Sequence, residues 1–105
     1  MIRAEINPGI CKMVAVVEVT TIAKRKVRVK ITSDCEKVAR LSSATGNLNI
    51  LEVLKPHIDS IVYKDASEKR LCASCPVPMA IIKAIEIENG LALPCPVSVH
   101  FTKIE

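Results

Sequence analysis

The sequence predicts an α+β protein, a two-layer sandwich in which a small antiparallel or mixed sheet carries helices on one face. Three observations lead there. Apolar and polar residues alternate in the first third of the chain, helical spacing follows, and alternation returns near the end. Half of the residues are hydrophobic, yet Tyr63 and Phe101 are the only aromatics, so the core is built from Val, Ile, Leu and Ala. A chain of 105 residues suits a single domain spanning 1–105, and no repeat, low-complexity tract or linker divides it.

The elements follow in order. Ile2, Ala4 and Ile6 alternate with Arg3 and Glu5, giving a short strand that Asn7-Pro8-Gly9 closes with turn chemistry. Met13–Thr21 is almost wholly apolar or β-branched, and Lys26–Thr32 alternates Val27, Val29 and Ile31 with Lys26, Arg28 and Lys30, so the two segments read as a hairpin. Its register is expected to set Val17 opposite Val29, Val19 opposite Val27, Ala15 opposite Ile31 and Glu18 opposite Arg28. Extended to the open end, that register puts Cys11 opposite Cys35; a slip of two residues keeps the faces and leaves the cysteines near neighbours. Ser33-Asp34-Cys35-Glu36 fits a capping box, which places Cys35 in a first helical turn, with Val38, Ala39, Leu41 and Leu48 on the apolar side.

Gly46-Asn47 interrupts that run, and Leu48, Leu51, Val53 and Leu54 read as a second short helix stopping before Pro56. Ile58–Tyr63 reads as a brief extended piece and Ala66–Leu71 as one helical turn. Pro76 is expected to open the best-defined helix, with Val77, Ala80, Ile81, Ala84 and Ile85 apolar, Lys83 and Glu86 in water, and Asn89-Gly90 as the stop. After Pro94-Cys95-Pro96, Val97, Val99 and Phe101 alternate with Ser98, His100 and Thr102 as a final strand at a sheet edge. An exposed edge of this kind pairs with a second copy, so a homo-oligomer through an edge strand is the expected partner.

Several functions lack the residues they need. The glycines stand singly at 9, 46 and 90, so there is no phosphate loop, and no Ser/His/Asp set or carboxylate pair is legible. The net charge of +4 is concentrated in Lys24, Arg25, Lys26, Arg28 and Lys30, but without aromatic platforms that hairpin tip reads as solvated, and nucleic acid is not an expected partner. No apolar run is long enough to span a bilayer and the first residues carry no export signal, so a cytoplasmic protein with reduced thiols and no membrane partner is expected. Enzymatic activity is undecided by these residues.

The chemistry on offer is that of the five cysteines. A helix N-terminus presents unpaired N–H groups and a positive dipole end, and Cys35 and Cys75 are both expected there, where a thiolate is favoured. Cys72 and Cys75 form a Cys-x-x-Cys pair, and with Cys11 and Cys35 they make four candidate ligands for zinc or an iron–sulfur cluster. The same four also fit an inert seam between hairpin and helix, a structural reading without cysteine chemistry. His57 is the available substitute ligand, and Cys95 stands outside the group. A thioredoxin-like reading of Cys72-Ala73-Ser74-Cys75 lacks the expected βαβ context.

Two resemblances attach to these residues. Cys75-Pro76-Val77-Pro78, followed by a helix with Lys83-Ala84 and by Gly90, resembles the Cys-Pro-x-Pro signature of TusA/SirA-type sulfur carriers. That likeness implies a persulfide carried on Cys75. Pro8-Gly9-Ile10-Cys11, Ser33-Asp34-Cys35-Glu36, Cys75-Pro76-Val77-Pro78 and Ala92-Leu93-Pro94 together resemble a small uncharacterised family from anaerobic archaea and bacteria, which implies that Cys11, Cys35 and Cys75 belong together.

Overall fold

A computed structural model describes residues 1–104 and, for residues 42–45, the backbone alone. Strands β1 (Ile2–Ile6), β2 (Ala15–Ala23) and β3 (Lys26–Ser33) precede helix α1 (Glu36–Thr45), a three-residue strand β4 (Asn47–Asn49) and a single helical turn α2 (Ile50–Val53). A 3-10 turn at His57–Asp59, helix α3 (Ile61–Glu68) and helix α4 (Val77–Glu88) follow. The four strands lie in sequence order, every neighbour antiparallel. The α+β sandwich expected from the sequence is the fold observed.

Alternation decides which face is covered. Ala15, Val17 and Val19 from β2 and Val27, Val29 and Ile31 from β3 are buried together with Val38, Leu41, Val77, Ile81 and Ile85 from the helices. Arg3, Glu5, Lys26, Arg28 and Lys30 point to the exposed face. Helix α1 lies on β3, α4 lies across β1 and β2, and α3 touches both helices. Among the described residues, no helix is long and apolar enough to cross a membrane.

Several local expectations are corrected. In the hairpin, Val17 faces Ile31, Val19 faces Val29 and Ala15 faces Ser33, two residues beyond the expected partners, and Glu18 faces Lys30. The tip is tighter than expected, turning through Lys24-Arg25 with Arg25 at φ 60° and a bulge between Thr21 and Ala23. Cys11 therefore has no partner across the ladder, and it sits in a Gly9–Lys12 turn closed by a 3.0 Å bond from the Lys12 N–H to the Gly9 carbonyl.

Ser33 does not cap α1 in the expected way. Its hydroxyl accepts the Cys35 N–H at 3.1 Å, and Cys35 stands at the helix entrance, its carbonyl accepting the Ala39 N–H at 2.9 Å. Leu48 belongs to β4, opposite Val27, where its side chain is buried. Ile61–Tyr63 is the first turn of α3, and Pro76 is the residue before α4, with Pro78 inside the first turn. The largest departure is at the end: Val97–Thr102 joins no strand, and Val97, Val99 and Phe101 are 50%, 68% and 93% exposed.

Candidate functional site

Two helix entrances and two turns position the cysteines. Cys35 is fixed where β3 gives way to α1, half-buried against the core. The same Ser33 hydroxyl that receives the Cys35 N–H donates to the Val14 carbonyl at 3.2 Å, tying the Cys11-bearing loop to the α1 entrance. Helix α3 ends with Arg70 in the left-handed region at φ 57°, a Schellman-type stop in which Leu71 donates back to the Ala66 carbonyl at 3.0 Å. That reversal delivers a second turn, in which the Cys75 N–H donates to the Cys72 carbonyl at 3.0 Å. Cys75 then precedes α4, half-buried, while Cys72 and Cys11 are exposed.

Three other cysteines bear on the ionisation of Cys75. Burial pushes the Cys75 thiol above its ordinary pKa, the Val77 N–H bonded to its sulfur pulls it down, and charge on Cys35, Cys72 and Cys11, in that order, pushes it up further. Cys11, Cys35 and Cys72 therefore lie within electrostatic reach of Cys75, although the hairpin register does not oppose Cys11 and Cys35. The expectation of a favoured thiolate is corrected at Cys75: the helix entrance contributes its N–H, and desolvation outweighs it.

Proximity is not yet coordination. Among the described residues, no three His, Cys, Asp or Glu side chains meet at ligand spacing. The half-buried pair, Cys35 and Cys75, is held by backbone on core elements, whereas Cys11 and Cys72 sit on exposed turns whose side chains rotate without disturbing the core. His57 is elsewhere, its ring tilted on Tyr63 at 5.3 Å beside a shallow groove of about 310 Å³ that also involves Met79, Lys83 and Glu86 and contains no cysteine. Cys95 and His100 are exposed in the C-terminal segment.

Three features escape a reading of the sequence. Ile10, Met13 and Val14 around Cys11 are exposed at 97%, 46% and 48%, an apolar rim beside the thiols. Asp65 is buried with Lys69 at 3.0 Å, and its Oδ2 has no partner. Glu88, in the last turn of α4, accepts the Thr21 N–H and hydroxyl, both at 2.9 Å, and lies 3.2 Å from the Met1 amine. Nothing in their local sequence separates Asp65 or Glu88 from solvated acids.

The fold is a small two-layer α+β sandwich in which Cys35 and Cys75 stand half-buried at two helix entrances. The chain belongs to DUF6951, a family of unknown function, whose match covers residues 2–101. No curated protein and no solved structure matches it.

Proposed function

We propose that this protein binds a thiophilic metal centre, zinc or an iron–sulfur cluster, through Cys11, Cys35, Cys72 and Cys75. The observation that supports the reading is the influence of Cys35, Cys72 and Cys11, from distant parts of the sequence, on the ionisation of Cys75. Four soft sulfur donors suit either group, and a bound cation reverses the repulsion that now opposes ionisation of Cys75. Cys35 and Cys75 would hold the centre to the core, and Cys11 and Cys72 would close on it from their turns. Such a centre supplies structural cross-linking or, as a cluster, electron transfer.

Protein purified without oxygen tests this by elemental analysis and visible absorption. Bound zinc or iron is expected, lost in the Cys35→Ser/Cys75→Ser variant. Metal-free wild-type protein with four thiols open to a thiol reagent overturns the proposal.

A second reading rests on one observation, the Val77 N–H donated to the Cys75 sulfur at the entrance of a 12-residue helix. It makes Cys75 a persulfide carrier, as in the sulfur carriers that the Cys-Pro-x-Pro segment resembles. The carrier reading predicts a mass gain of one sulfur on Cys75 after exposure to a persulfide donor, abolished by Cys75→Ser and retained in Cys11→Ser.

A further inference from the structure

Independently of the thiol chemistry, we infer that the segment Val97–Thr102 is a donated strand, which adds to the open β1 edge of a second copy to form a reciprocal dimer. The argument begins with an unspent strand. Val97, Val99 and Phe101 alternate with Ser98, His100 and Thr102, a pattern that makes one apolar face only when extended. That face is half or more exposed at each of its three residues, and among the described residues none from 97 to 102 makes a hydrogen bond to the body.

The sheet has a matching vacancy. β1 pairs with β2 alone, so its outer edge presents unpaired backbone groups along five residues, about 17 Å. Neither proline nor bulge protects it. Ile2 and Ala4, on its inward face, are only half-buried although packed on the core, which leaves apolar surface for Val97, Val99 and Phe101 to cover. The opposite edge, β4, is three residues long and shows Asn47 and Asn49 to solvent.

The link between helix and segment selects a second copy over the chain's own edge. α4 ends beside the start of β1, where Glu88 meets the Met1 amine. Pro94 then centres a tight turn in which the Cys95 N–H donates to the Leu93 carbonyl at 2.8 Å, and Pro96 follows directly. Two prolines with fixed φ stiffen the link, and the residues beyond them stand exposed and outside the sheet. A rigid hinge, a free strand and an open edge in one chain are the parts of a strand exchange, and two-fold symmetry satisfies both edges at once. The family match includes both parts, from residue 2 in β1 to residue 101 in the segment.

Sedimentation velocity on the full chain, with amide hydrogen exchange read by residue, tests this. A dimer is expected, with slow exchange at 97–102 and along Ile2–Ile6. Val99→Asp/Phe101→Asp is expected to give a monomer that retains the helical far-ultraviolet circular dichroism signal and cooperative unfolding, with at least tenfold faster exchange at both segments. A wild-type chain that is monomeric at every concentration overturns the inference, whether its 97–102 amides are protected, as in a strand on its own sheet, or open. A dimer undiminished in the double variant overturns it as well.

Discussion

Glu88→Ala probes the contact that joins the two ends of the fold. The substitution removes an acceptor from the Thr21 N–H and hydroxyl, each at 2.9 Å, and an anion from the Met1 amine at 3.2 Å. Working against that loss, Glu88 lies at the negative end of α4, where the helix dipole disfavours it by about 0.3–1 kcal/mol, which the alanine recovers. Hydrogen bonds to a charged acceptor contribute about 1.5–3 kcal/mol when buried; these are partly open to water, so about 1 kcal/mol each is appropriate. The amine pair, with one partner exposed, adds under about 1 kcal/mol.

The hydrogen bonds win, and the net cost is about 1–2 kcal/mol, or a Tm lower by about 5–10 °C for a domain of this size. The pH dependence has a defined sign. The Thr21 N–H, with help from the Thr21 hydroxyl and the amine, holds the Glu88 carboxyl below the usual range. Its contribution is therefore complete above the unfolded value, about 4.3, and is lost as pH falls through the lower folded value. Thermal unfolding of both proteins, followed by circular dichroism at neutral pH and through the acid range, should show a gap that closes in acid. No gap at neutral pH, or one of constant size at every pH, refutes the reasoning.

Two further outcomes are expected beside the metal and strand-exchange tests above. Ser60 is fully buried and its hydroxyl donates to the Val53 carbonyl at 2.7 Å, so Ser60→Ala should cost about 1–3 kcal/mol by urea denaturation, the penalty of an orphaned buried carbonyl. Because burial, ahead of neighbouring charge, raises the Cys75 pKa, alkylation of the metal-free protein should modify Cys75 more slowly than exposed Cys72 at neutral pH. Its rate should rise with pH to a midpoint above that of an ordinary cysteine; mass spectrometry of the alkylated peptides reads both.

The apolar faces of the strands and the α4 stripe were legible because burial on one side imposes period, and Val17, Val29, Ile81 and Ile85 are where alternation and helical spacing predict. The register was not, for a physical reason: cations recur at Lys26, Arg28 and Lys30, so Glu18 finds a partner whether or not the strands slip by two. β4 was hidden because three residues carry no periodic signal and Leu48 is equally at home on a helix. The alternation at Val97–Phe101 predicts a final strand that the structure does not form, since alternation alone supplies no neighbouring edge to pair with. The four-cysteine grouping was reached through a register that does not hold. The structure instead ties Val14 to Cys35 through the Ser33 hydroxyl, a contact no spacing rule anticipates.

The separation in sequence between Cys75 and the first two cysteines, Cys11 and Cys35, also sets an order of events in time. The β2–β3 hairpin and its link to α1 close over short stretches of chain, whereas α4 reaches β1 and β2 only across most of the sequence, as the contact between Thr21 and Glu88 illustrates. A chain emerging from the ribosome exposes Cys11 and Cys35 long before Cys75 has been made, and the neighbourhood is completed only when α4 docks. Any ion or sulfur donor that depends on all four thiols therefore meets a chain made at least as far as Cys75.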